Sequence, residues 1–313
     1  MRLIEGMIDS RHFIDVYNDI KKYDSISKVA KELCISERTV RRWAVKLRAD
    51  GNALIIRSKP DIPIKYDHLK VAEYRQPIDR NSRNDRVLII SDMHAPFQHR
   101  DALDFLDAVN KKYSPDRIVN VGDEIDAHAI NYHEHDPNLY SPYDELRRAR
   151  AVMRDLESIF PNMDLVDSNH GSMYYRRAKT AGIPKEAIVS YNDLLGVGSG
   201  WRWQNDLIID LPNGEQVYIH HGKSDAEKCS KNMAMNVVFG HYHTSFAINY
   251  WANPFRTFWA MNTGCLINNS ELAFAYNKNT IEFPMIGIGM IIDSKPLLIE
   301  MVRDKQNRWV GKL

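Results

Sequence analysis

No run of apolar residues in this 313-residue chain is long enough to cross a bilayer. The longest, residues 283–292, is broken by Pro284, Gly287 and Gly289. The N-terminus lacks an apolar core of signal-peptide length and brings in acids at Glu5 and Asp9, so neither a membrane partner nor secretion is expected. Cysteine is scarce as well. Cys34, Cys229 and Cys265 are odd in number and scattered, which excludes a disulfide framework and a thiolate zinc site of ordinary spacing, and points to a reducing, cytoplasmic compartment. Neither sign of charge dominates, with 42 Lys and Arg against 41 Asp and Glu, so the chain is not a disordered polyelectrolyte. Repeats and low-complexity tracts are missing too. What remains is a globular composition at a length suited to one large domain and a small one.

The balanced charge conceals an asymmetry. Residues 1–86 carry 19 Lys and Arg against 13 Asp and Glu, a surplus of six; the remainder carries 23 against 28, a deficit of five. A basic N-terminal piece on an acidic body implies that the two parts meet different partners. Residues 9–50 show helical periodicity. Phe13, Tyr17 and Ile20 line a first helix, and Ile26, Val29, Ala30 and Leu33 a second behind Ser25 as N-cap. After a break at Cys34-Ile35, Ser36 caps a third helix that buries Val40, Trp43, Ala44 and Leu47. Residues 51–86, with Pro60, Pro63 and Pro77 and alternating charges, read as a linker with a short hairpin over 53–57.

From residue 87 onward, short apolar runs alternate with amphipathic stretches. Strands are expected over 87–90, 118–121 and 163–166, and helices over 102–111 (Leu103, Leu106 and Val109 inward) and 143–159. Beyond Trp201 strands dominate, over 207–211, 216–220, 237–239, 255–262, 287–292 and 297–302. The expected fold is α/β with α+β layering: two packed β-sheets flanked by helices, plus a small all-α N-terminal domain. The domain limits are 1–50, 51–86 for the linker and 87–313.

Acids and histidines recur where these strands end, the place where open α/β sheets hold ligands. The runs are Ser91-Asp92-Met93-His94, Gly122-Asp123-Glu124-Ile125-Asp126, Asp167-Ser168-Asn169-His170-Gly171, His220-His221-Gly222 and Gly240-His241-Tyr242-His243. An Asp-X-His pair on an extended strand end points both side chains one way. Glycine before Asp123 or His241 lets the backbone bend and approach closely. Carboxylate and imidazole donors without thiolate suit Mn, Fe, Zn or Ni.

In order and spacing these runs resemble the calcineurin-like metallophosphoesterase family over roughly residues 85–295, with its DxH, GDxxD, GNH(D/E), HG and GHxH motifs. The resemblance implies a metallophosphoesterase sandwich with two divalent metal ions, manganese first among the candidates. Asp92, His94, Asp123 and His243 would hold one, and Asp123, Asn169, His221 and His241 the other. His170 would be the general acid beside them, and Asp123 the bridge. His220 competes with His221, which is preferred because it directly precedes glycine. Two positions depart from the pattern: Ser168 replaces the glycine before Asn169, and Gly171 replaces the acid after His170, a role that Asp126 could take over.

Arg176 and Arg177 are the candidate phosphate contacts, with His128, His133, His135 and Lys223 behind them; the His128 segment reads equally as a solvated loop. Trp201 and Trp203 either stack a base or pack under a loop. Residues 25–48, SISKVAKELCISERTVRRWAVKLR, resemble a helix-turn-helix of the repressor and resolvase type, with cysteine at the turn position usually held by glycine. That resemblance places Arg38, Thr39 and Arg42 near base edges, and Arg41, Lys46 and Arg48 at phosphates. A protein-interaction module and a solvated basic face are the competing readings. Together the two halves read as a metal-dependent phosphoesterase acting on nucleic acid, a DNA phosphodiesterase or nuclease. The alternatives are a phosphomonoesterase and a non-catalytic DNA-binding regulator; oligomeric state is left open.

Overall fold

Two core clusters with opposite neighbours organise the larger part of the molecule. The computed structural model describes residues 2–4, 8–23, 26–49, 84–132, 138–222, 224–270 and 283–313. The chain divides into two compact units, Met1–Ala72 and Glu73–Leu313. Most of the expected linker, its hairpin and Ser25 lie outside the described residues.

In the first unit, β1 (Arg2–Ile4) pairs antiparallel with β2 (Ile8–Asp9), followed by α1 (Ser10–Tyr23), α2 (Ile26–Glu32) and α3 (Glu37–Ala49). The periodic apolar residues form one cluster: Phe13 and Tyr17 on α1, Val29 and Ala30 on α2, and Val40, Trp43, Ala44 and Leu47 on α3. Phe13 stacks on Tyr17 at 5.6 Å and meets Trp43 edge-on at 5.5 Å, geometries that aromatic quadrupoles favour. Ser36 caps α3 by accepting the Thr39 amide at 3.1 Å. Cys34 turns the chain with φ 51°, the left-handed conformation that glycine adopts more easily.

The second unit holds a six-stranded and a five-stranded sheet. In the first, β3 (Arg86–Ile90), β4 (Arg117–Asn120), β5 (Met163–Val166) and β6 (Trp201–Gln204) run parallel; β12 (Gly287–Ile292) pairs antiparallel with β3, and β13 (Lys295–Glu300) with β12. The second sheet runs β10 (Phe246–Ala252), β11 (Thr257–Thr263), β9 (Asn236–Phe239), β8 (Gln216–His220), β7 (Leu207–Asp210), with β11, β9 and β8 parallel. Strand β3 explains the layering. Val87 and Ile89 join Val119, Ile219, Val238 and Met261 between the sheets. Leu88 and Ile90 point the other way, into a core with Phe105, Leu106, Met153 and Leu156 from α4 (Ala102–Tyr113) and α5 (Pro142–Ile159). A strand buried on both faces reads as an unbroken apolar run. Ser141 caps α5 by accepting the Asp144 amide at 3.2 Å, with Pro142 at the first helical position.

Several expectations are corrected. On α4 the inward face is Ala102, Phe105, Leu106 and Val109, an i, i+3, i+4, i+7 set; Leu103 is only partly buried. The strand expected over 255–262 forms as β11, beginning at Thr257, and is one half of a hairpin with β10. Phe255 is 91% exposed in its turn, and the other half, β10, is an edge strand of part-buried and exposed residues whose run FAINYWA is apolar almost throughout, without the alternation that marks a half-buried strand. Strand β6 and the short helices α6 (Met173–Thr180), α7 (Tyr191–Leu195) and α8 (Ala226–Met233) were likewise not expected. Trp201 packs, fully buried, with its indole donating to Phe160 O at 2.9 Å. The C-terminal segment is tied down by Arg308, whose guanidinium grips both carboxylate oxygens of Asp101 at 2.7–3.1 Å. That grip holds the Asp101 carboxyl down to about 2. No helix among the described residues is long and apolar enough to cross a membrane.

Candidate metal centre

Five loops that follow β3, β4, β5, β8 and β9 meet at the C-terminal ends of these strands. Their backbone is unusual: Asp92, His94, Asp123 and His241 all have left-handed φ, between 50° and 67°. Such conformations cost non-glycine residues on the order of 1–3 kcal/mol each and persist only where the surroundings impose them. Here the loops brace one another. The Asp92 amide donates to Gly122 O at 3.1 Å and the His94 amide to Asp123 O at 2.8 Å. Asp92 and His94 therefore converge through two kinks, not through strand alternation as their spacing implied. Glycine matters at two contacts. A Cβ on Gly122 would lie 2.5 Å from Ser168 Cβ, and one on Gly240 would overlap Ser91 Oγ.

The seven side chains singled out as ligands are all brought together. Asp92 Oδ1 lies 3.3 Å from His243 Nε2 and 3.8 Å from His94 Nε2, and the two imidazole nitrogens are 3.2 Å apart. Asp123 Oδ2 stands between the halves, 3.5 Å from His94 Nε2 and 3.1 Å from His221 Nε2. His221 Nε2 in turn meets Asn169 Oδ1 at 2.8 Å and His241 Nδ1 at 3.2 Å. Three groups, Asp92/His94/His243, His94/Asp123/His170 and Asp123/His221/His241, have their donor atoms within 4.8 Å of one another. They open on a cleft of about 210 Å³ lined by Asn169, His170 and Thr244 as well.

The electrostatics suit a cation. Asp92 Oδ1 is buried and accepts no hydrogen bond. Burial alone would raise the Asp92 and Asp123 carboxyls, but the surrounding histidines drive both far below the usual range. Burial works against the charged form of His221 too, yet Asp123 and Asp92 bring it up to about 9; His94 rises for the same reason through Asp126, Asp92 and Asp123. Protons thus balance carboxylates in the bare cluster, and a divalent cation can replace them. The mixed oxygen and nitrogen donors fit such an ion.

A surrounding layer fixes the rings. His221 Nδ1 donates to Val121 O at 2.9 Å, and His94 Nδ1 meets Asp126 Oδ1 at 2.6 Å, so each turns Nε2 to the centre. His170 Nδ1 donates to the Asp126 carbonyl, with Asp126 Oδ1 at 3.6 Å. Asp126 therefore serves two histidines, a role the sequence raised only as a replacement for the missing acid. His220 is turned away: it accepts the Gly222 amide and lies between Tyr218 and Phe239. At the departures from the family pattern, Ser168 Oγ accepts the amides of Asp123 (2.9 Å) and Gly171 (3.0 Å). The space above Gly171 is taken by Glu124, whose carboxyl burial pushes up to about 7.

The candidate substrate contacts separate. Arg176 is exposed and reaches Asn169 O at 3.3 Å, at the rim of the donor cluster. Arg177 instead donates to Ile130 O and Asn131 O and lies 4.0 Å over Tyr132. His128 is buried 3.6 Å from Asp126, its turn held by Glu145, which accepts the His128 and Ala129 amides. His133, His135 and Lys223 lie outside the described residues. On α3, Arg38, Arg41, Arg42 and Lys46 are exposed and Thr39 is half-buried against Ser36; Arg41 pairs with Glu37 at 3.2 Å.

No family model matches the chain, and no curated protein does. Solved structures do. The chain is similar to Vps29 from Chaetomium thermophilum at 10% identity and a TM-score of 0.37, over 72% of this chain and 93% of that one. Similarity to YfcE, a phosphoesterase from E. coli, is 12% identity with a TM-score of 0.31 over 69% and 98%. For the nuclease MPE of Pseudomonas putida the values are 11%, 0.29, 68% and 87%.

Proposed function

We propose that the larger unit is a dinuclear-metal phosphoesterase of the calcineurin-like kind, and that with its N-terminal helices it acts on nucleic acid as a DNA phosphodiesterase or nuclease. The convergence of seven donors from five strand-end loops carries the proposal. Asp92, His94, Asp123 and His243 would hold one cation and Asp123, Asn169, His221 and His241 the other, with Mn preferred and Fe, Zn or Ni compatible. Bound there, the ions supply Lewis acidity toward a phosphoryl group and acidify water. With Nδ1 donating to the Asp126 carbonyl, His170 leaves Nε2 for the cleft, from which its imidazolium form would protonate the departing oxygen. Arg176, exposed and next to the cluster through Asn169 O, would be the contact for a non-bridging phosphate oxygen.

Metal analysis of the purified protein should find two equivalents of a divalent transition metal. With Mn added, bis-p-nitrophenyl phosphate should be cleaved faster than p-nitrophenyl phosphate. The reverse order would move the substrate to a phosphomonoester; metal-free protein without turnover on either would leave a DNA-binding regulator.

The basic face of α3, with Arg38, Thr39, Arg41, Arg42 and Lys46, is the proposed DNA contact. Full-length protein should bind duplex DNA with an affinity that falls as salt rises, by a log–log slope of about 0.9 per neutralised phosphate. Replacing both Arg38 and Arg42 by alanine should weaken duplex binding while leaving p-nitrophenyl ester hydrolysis unchanged. Salt-independent binding would count against this face.

A further inference from the structure

Two tyrosine rings near the donor cluster each carry an exposed guanidinium. Arg176, next to Asn169, lies 5.2 Å over Tyr132, a ring it shares with Arg177. Arg148, on α5, lies 4.3 Å over Tyr140. Tyr140 in turn stacks on buried Phe97, with ring centroids 5.9 Å apart and planes 7° apart. This second stack is tied to the cleft from two sides. The Phe97 amide donates to His94 O at 2.7 Å. One turn before Arg148, Glu145 accepts the His128 and Ala129 amides at 2.7 and 2.8 Å, and His128 stands 3.6 Å from Asp126.

The charge of Arg148 is uncommitted. Among the described residues it meets no carboxylate and makes no hydrogen bond. On the same helix, by contrast, Arg147 pairs with Asp144 at 3.5 Å and Arg150 donates to Leu194 O at 2.6 Å. A ring beneath a guanidinium fixes its plane and leaves the N–H edges to solvent. That is the arrangement from which arginine grips a phosphate through two parallel bonds.

We infer that Arg148 holds a phosphate of a polynucleotide strand other than the one being cut. The assignment rests on the phosphoesterase reading and narrows its substrate. Arg176 adjoins the donor cluster and is placed for the reacting phosphoryl group. Arg148 has a separate platform, reached through Phe97 on the His94 side, and so meets a different anion. A polynucleotide presents phosphates at regular intervals along one chain, whereas a phosphomonoester has no second one to offer. Such a contact adds affinity and register without reading sequence.

The test uses the full chain with Mn added. It compares bis-p-nitrophenyl phosphate and a dinucleoside monophosphate, whose only phosphate is the scissile one, with dodecameric single strands of DNA and RNA. Wild type should show a lower KM for a dodecamer than for the dinucleoside monophosphate. Arg148→Gln should raise the dodecamer KM roughly 3–10-fold, the size of one exposed charge-assisted contact. Its kcat, and all kinetics on bis-p-nitrophenyl phosphate, should stay as in wild type. The log–log slope of dodecamer KM against salt should fall by about 0.7, one single-strand phosphate. Arg148→Lys keeps the charge without the planar fork and should restore that slope. Whether the DNA or the RNA dodecamer responds identifies the sugar of the strand. A dodecamer KM indifferent to Arg148→Gln, or equal losses on the dodecamer and on bis-p-nitrophenyl phosphate, overturns the inference. Turnover of bis-p-nitrophenyl phosphate without turnover of any oligonucleotide overturns it too and leaves the phosphoesterase reading standing. Turnover of neither removes that reading, and this contact with it.

Discussion

Asp123→Ala is expected to lower phosphodiester hydrolysis by about 10³-fold or more and to drop bound metal below two equivalents. Asp123 Oδ2 lies between the imidazoles of His94 and His221, at 3.5 and 3.1 Å, and Oδ1 accepts the His170 amide at 3.0 Å. In the proposed dinuclear centre it would be the carboxylate shared by both cations. Metal ions are asked for several kcal/mol of charge stabilisation in such reactions, and about 4 kcal/mol is roughly a thousandfold in rate. Removing the carboxylate also takes an anion from beside two buried histidines, of which His94 keeps Asp126 at 2.6 Å, so a melting curve must accompany the assay. Asp123→Asn, which keeps the shape, should lose activity with a smaller change in melting temperature. An alanine variant that retains both metal and turnover would end the dinuclear proposal.

His170→Ala should behave differently, losing roughly 10²–10⁴ in turnover while binding metal as before. The distinction follows from its contacts. His170 lines the cleft with its side chain 18% exposed and packs edge-on against His94 at 4.6 Å, but it is tied down through Nδ1 to the Asp126 carbonyl. Nothing in that arrangement requires it to hold a cation. Parallel assays of turnover and metal content separate the cases: equal loss of both would make His170 a ligand, and unchanged turnover would remove it as the acid. A substrate with a good leaving group, which needs no protonation, should narrow the deficit.

Much of the donor cluster was legible because its chemistry sits beside strong strand signals. The apolar runs that become β3, β5 and β9 end one or a few residues before Asp92, Asn169 and His241, and period and composition locate such ends well. What escaped detection depends on neighbours from elsewhere in the chain. Asp126 holds His94 only because the loops after β3 and β4 bond to each other, as the His94 amide on Asp123 O shows. Arg177 looked like an anion contact, but its charge is spent on two backbone carbonyls of a turn 46–47 residues away. The hairpin strand β10 was lost for another reason: its run FAINYWA is apolar almost throughout yet lies part-buried at the sheet edge, so its composition does not alternate with its exposure.

Alternation along β3 ties chemistry to packing more tightly than either requires alone. Val87 and Ile89 fill the inter-sheet layer, Leu88 and Ile90 fill the helix-facing one, and two residues later the chain reaches Asp92. A slip of a single residue would exchange the contents of both layers and at the same stroke carry the first carboxylate off its mark by about 3.3 Å. The oily interior thus acts as the ruler by which the polar chemistry is measured out, and tolerance for insertions should vanish upstream of Asp92 long before the catalytic letters themselves are touched.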